Sequence, residues 1–118
     1  MNRVILIITI IFVSVLSTAA QSDYDMRKAQ SYQREAEYYR KKADGHRREA
    51  AYYLKRAEQY RSDAAYYTKR GDLERAKRCS GYADNEVDKY KTQLQYAARA
   101  DDRAALYLRW AADALKKK

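Results

Sequence analysis

The chain has no proline, three widely separated glycines (Gly45, Gly71, Gly81) and a single cysteine, Cys79. These shortages exclude a turn-rich β sandwich, a collagen-like segment, a flexible Gly/Ser linker and any intramolecular disulfide. Large aliphatics are equally scarce. Beyond residue 20 there are six leucines, one valine and neither isoleucine nor phenylalanine. Such a chain cannot wrap a globular core of the usual kind. The means for catalysis are thin as well. His46 is the only histidine, and no Cys-x-x-Cys, His-x-x-x-His or haem-attachment spacing occurs. No nucleophile stands with a base and an orienting acid, and Asp101-Asp102 reads as solvated helix surface. The expectation is a protein that is not an enzyme and uses neither cofactor nor metal.

What is present begins with an address. Residues 1–20 have the three parts of a secretory signal peptide. Arg3 supplies the positive start, an apolar run from Val4 to Leu16 follows, and Ser17-Thr18-Ala19-Ala20 gives the small residues before a cut near Ala20, Gln21 or Ser22. The run is shorter than the ~20 residues a membrane-spanning helix wants, so no stable transmembrane segment is expected after cleavage. An uncleaved anchor is the alternative. The expected location is extracellular, or periplasmic if the source is bacterial.

The strongest pattern is a repeat. Residues 35–43 (Glu-Ala-Glu-Tyr-Tyr-Arg-Lys-Lys-Ala) recur in close variants at 49–57 and 63–71, a spacing of 14, or two heptads. Beneath it runs a seven-residue beat of Ala29, Ala36, Ala43, Ala50, Ala57 and Ala64. Three places after each alanine stand Tyr32, Tyr39, His46, Tyr53, Tyr60 and Tyr67. A 3,4 spacing held this long is a coiled-coil seam. His46 occupies a tyrosine slot and reads as a packed ring rather than a ligand.

From Leu73 the beat returns in another phase. Ala76, Ala83, Tyr90, Ala97, Ala104 and Ala111 form one row; Leu73, Ser80, Val87, Leu94, Asp101, Leu108 and Leu115 form the expected second. The phase breaks at Gly71, preceded by Lys69 and Arg70 and followed by Asp72, which suits one helix end and the cap of the next. The implied division is a signal peptide at 1–20, helix 21–70, turn 71–72 and helix 73–118. The fold class is all-α: an antiparallel two-helix coiled-coil hairpin with an Ala/Tyr seam, self-associating into a helical bundle. One continuous helix with a phase slip is the alternative. Glu37–Lys41, Asp44–Arg48 and Glu74–Arg78 are the expected i,i+4 ion pairs.

Candidate binding residues come from charge and phenols. The formal net charge is +9, with local concentrations at Lys41, Lys42, Arg47, Arg48 and Lys116, Lys117, Lys118. These suit an acidic polysaccharide, an acidic matrix protein or another anionic surface, and the signal peptide argues against nucleic acid. Tyr38, Tyr52 and Tyr66 lie beside the seam every 14 residues and would stack on sugar rings, cross-link oxidatively or pack against further helices. Cys79 is the candidate for an intermolecular disulfide in an oxidising compartment. Arg70-Gly71-Asp72 spells an integrin-type adhesion tripeptide, although the turn explains Gly71 and Asp72 without a receptor.

The leading functional expectation is a secreted, non-enzymatic structural protein, a basic tyrosine- and alanine-rich building block of an extracellular matrix, shell, cuticle or cell envelope. The alternative is a soluble periplasmic or extracellular helical binding module for an acidic polymer or surface. The hairpin has a direct check. Circular dichroism of the cleaved chain is expected to show predominantly helix, and scattering a rod of about 70 Å; a rod of about 140 Å would mean a single helix.

Overall fold

The computed structural model describes residues 20–116. Residues 1–19 of the expected signal peptide 1–20, together with Lys117 and Lys118, lie outside them. Two helices account for nearly all of the described chain: α1, Ala20–Lys69, and α2, Leu73–Lys116. No strand occurs among the described residues. The fold is an all-α helical hairpin. Gly45 and Gly81 lie inside the helices, where each costs about 1 kcal/mol relative to alanine.

The reversal is built by local chemistry. Gly71 has φ +80°, a left-handed backbone that favours glycine. The Asp72 N–H donates to the Tyr67 carbonyl (2.9 Å), and the Gly71 N–H to that of Thr68 (3.1 Å). This is the Schellman arrangement that satisfies the last carbonyls of a helix. Asp72 then caps α2. Its Oδ1 accepts from the Arg75 N–H (3.2 Å), while its carbonyl accepts the first helical bond, from Ala76 (3.1 Å).

The helical contacts fall into two compact units, one made of the described residues up to Lys41 with those from Ala100 on, the other of Lys42–Arg99. In the first unit Ala29 and Ala36 of α1 and Ala100, Ala104, Ala111, Ala114 and Leu115 of α2 are buried, and Tyr32 packs on the Ala29, Ala111, Ala114, Leu115 cluster. In the second unit the buried alanines are Ala43, Ala50, Ala57 and Ala64 of α1 and Ala76 and Ala83 of α2, with Ala97. Every alanine of the two predicted beats is therefore in the core. No large side chain among the described residues is fully buried. Alanine occupies the centre, and each tyrosine three places on is half-buried at the edge.

The second row of α2 differs from expectation. In the second unit Leu73 is 67% and Leu94 38% exposed, Ser80 is exposed, and only Val87 is half-buried. Cys79, Glu86 and Gln93, three places after the alanine beat, turn inward instead. In the first unit the expected row does better: Asp101 and Leu108 are half-buried and Leu115 is buried. The physical reason lies on α1. Its tyrosines stand to one side of the alanines, and their rings and hydroxyls take cations, amides and ring edges as neighbours, which leucine cannot supply.

The ion pairs also shift by one position. Arg40 pairs with Glu37 (3.4 Å) and Arg47 with Asp44 (2.7 Å), so i,i+3 partners take the place of the expected Lys41 and Arg48. Both spacings are within reach on a helix.

Ala50→Leu should overpack the centre and destabilise the protein by roughly 1–3 kcal/mol. Ala51→Leu, one place along on the exposed surface, should stay within about 0.5 kcal/mol. Urea denaturation of both variants checks this; equal midpoints would mean the seam is misassigned.

Candidate functional site

The surface of interest is the tyrosine edge. In the second unit each seam ring of α1 meets a ring or a cation of α2, and seven places forward on one helix match seven back on the other. His46 lies edge-on to Tyr96 (5.4 Å between centroids), the Lys89 ammonium sits over Tyr53 (5.6 Å), Tyr60 packs on Tyr82 (5.4 Å) and the Arg75 guanidinium covers Tyr67 (5.6 Å). The first unit repeats the scheme, with Tyr32 beside Trp110 (5.7 Å) and Arg103 over Tyr39 (5.7 Å). There Tyr107 also stacks on Tyr39 (5.8 Å). Ring partners alternate with cations. This row of α2, Arg75, Tyr82, Lys89, Tyr96, Arg103 and Trp110, stands at strict seven-residue spacing but mixes cations with rings, so an apolar beat does not reveal it.

Two polar contacts cross the second unit. His46 Nδ1 lies 2.7 Å from Gln93 Oε1. His46 is thus a packed ring, as its slot in the beat implied. Arg56 Nε donates to Glu86 Oε1 (2.8 Å), and Glu86 is only 4% exposed. Its Oε2 has no hydrogen bond and lies 3.8 Å from Lys89 Nζ. Arg56 also donates to the hydroxyls of Tyr60 (3.2 Å) and Tyr52 (3.4 Å). The Glu86 hydrogen bond first, and that of Tyr52 second, hold the guanidinium still more firmly protonated than usual.

The predicted binding residues take different places. Tyr38, Tyr52 and Tyr66 are 53%, 54% and 52% exposed. Each ring is edge-on to its seam neighbour, Tyr39, Tyr53 and Tyr67 respectively, at 5.1–5.4 Å. Lys41, Lys42, Arg48 and Lys116 are exposed, whereas Arg47 is half-buried on Asp44. Cys79 is a free, half-buried thiol. Arg70 bonds the Tyr66 hydroxyl and covers its ring, and Asp72 caps α2, so both charged groups of the adhesion tripeptide are engaged in forming the turn. Among the described residues no group of three or more His, Cys, Asp or Glu could hold a metal ion, and no helix is long and apolar enough to cross a membrane. No protein-family model, curated protein or solved structure matches the chain.

The Arg56–Glu86 pair yields an asymmetric prediction. Arg56→Ala strands a buried carboxylate and should lower the melting midpoint clearly. Glu86→Ala removes the buried charge, leaves Arg56 in water and should leave the midpoint unchanged or raised. Thermal melts of the two single variants decide it, and equal losses would contradict the assignment.

Proposed function

We propose that the protein is a secreted, non-enzymatic structural protein, a basic helical building block of an extracellular matrix, shell, cuticle or cell envelope. The observation that carries this reading is the set of outward phenols. Tyr38, Tyr52 and Tyr66 are each about half exposed, and each is braced edge-on by a seam ring. The hairpin gains little by holding three large aromatics in water, whereas tyrosine is a preferred residue of contact surfaces. An alanine-centred hairpin also buries little apolar area, so association of hairpins with one another adds stability that the single chain lacks. In this reading an intermolecular Cys79 disulfide would tie two copies together in an oxidising compartment. A second reading, an extracellular or periplasmic binding module for an acidic polymer, is supported by Arg48, which is exposed and makes no ion pair among the described residues.

Fractionation of the native source tests the choice. The structural reading expects the chain in an insoluble extracellular fraction, beginning near Ala20–Ser22, with dityrosine in peptides containing Tyr38, Tyr52 or Tyr66. A freely soluble extracellular monomer would favour the second reading, and retention in the cytoplasm would overturn both.

A further inference from the structure

The second unit contains the same cleft twice. The larger, about 660 Å³, is lined by Lys42, Gly45, His46, Arg48, Glu49 and Tyr52. The smaller, about 190 Å³, is lined by Arg56, Gln59, Tyr60 and Asp63. Adding 14 to Lys42, Gly45, His46 and Glu49 gives the second set, so the sequence repeat is also a repeat of surface shape. One substitution accounts for the difference between the two. Where the second repeat carries the Gln59 side chain, the first has none at Gly45, and no atom but Arg48 Nη2, at 4.0 Å, approaches the space a Cβ would take. Gly45 is thus a helix-weakening residue with no turn to make, placed where it enlarges one cleft.

We propose that the Gly45 cleft binds one ring of an anionic polysaccharide, a carboxylated or sulfated pyranose. Tyr52 provides the platform. Its ring is half exposed and edge-on against Tyr53, and Arg56, one turn on, donates to its hydroxyl and lies over the ring at 5.7 Å from the centroid. The part of the ring left exposed takes the C–H face of a sugar. Arg48 supplies a guanidinium with no ion-pair partner among the described residues, suited to two parallel hydrogen bonds with a carboxylate or sulfate. Glu49, also exposed and without an ion pair among the described residues, accepts from ring hydroxyls. In the second repeat the place of Arg48 is taken by Ser62, and Arg56 is committed to Glu86. That repeat therefore lacks both the room and the free guanidinium. The net charge of +9 draws polyanions towards the whole molecule, and the cleft decides where one ring seats. The inference rests on the second reading above, that an acidic polymer is bound at all.

The test exchanges cleft residues for their counterparts one repeat on, which the fold already accommodates. Titration of the cleaved chain with a sulfated, uronate-containing hexasaccharide in about 0.15 M salt, where distant surface charges are screened, should move the Gly45 amide resonance. The Gly71 and Gly81 amides serve as internal references and should stay in place. Gly45→Gln and Arg48→Ser should each weaken binding by about tenfold, the scale of one charge-assisted hydrogen bond or one filled contact. Gly45→Gln should at the same time raise the melting temperature, since glutamine is the better helix former, so lost binding cannot be lost folding. Binding that persists unchanged in both variants would overturn the cleft while leaving the acidic-polymer reading standing. No binding by the parent chain would overturn both. A neutral maltohexaose, or a single-stranded oligonucleotide, that shifts Gly45 as strongly as the sulfated sugar would also overturn the assignment.

Discussion

Alanine at every seventh position sets how closely the two helices can meet, and the other contacts follow from that limit. A methyl group fills the space between two backbones only when they approach tightly. No room then remains at the centre for a large side chain, and among the described residues none is fully buried there. The bulky residues must lie along the edges, partly in water. Tyrosine tolerates such a place because its ring can pack while its hydroxyl remains solvated or bonded. Cations laid over the ring faces complete the edge in each unit, at 5.6–5.7 Å from the centroids.

Apart from Tyr90, the seam is a row of identical methyl groups, which by themselves are blind to a shift of seven residues. Polar contacts remove that ambiguity in the second unit. In the observed register Glu86 meets Arg56. Moved by one heptad in either direction it would meet Glu49 or Asp63, carboxylate against carboxylate, with Glu86 taken out of water. Both slipped registers are opposed by charge repulsion and desolvation together. His46 with Gln93 adds a second fixed pair, and the turn at Gly71 limits the slack between the helices. The ion pair and the amide thus select among alignments that apolar packing leaves nearly equal.

The same economy shapes the outer surface. A 14-residue repeat presents each motif more than once, which permits its copies to differ. Tyr38, Tyr52 and Tyr66 keep one arrangement, edge-on to a seam ring, whereas Gly45 and Gln59 have diverged at corresponding places. A structural block and a polymer-binding surface are compatible on this scaffold, because neither needs an enclosed pocket and both use rings and cations that the narrow core cannot take in.

The sequence by itself determined the helices, their break and their centre. Period seven is visible without coordinates, Gly71 is the only glycine at the phase change, and each alanine of the two beats is buried. The outward places of Tyr38, Tyr52 and Tyr66 followed from the same wheel. What remained undetermined was the side of each alanine row that faces the partner. Leu73 and Leu94 carry the stronger apolar signal, yet Cys79, Glu86 and Gln93 face inward in the second unit. Hydrophobicity ranks residues one at a time, whereas this choice depends on pairs: Glu86 is worth burying only beside Arg56, and the exposed Lys89 and Arg75 gain a contact on α1 only by lying over a tyrosine. The Gly45 cleft was equally hidden, because a missing side chain becomes a site only when its neighbours in space are known. Those pairings exist once α2 has folded back along α1, so the tertiary structure decided them.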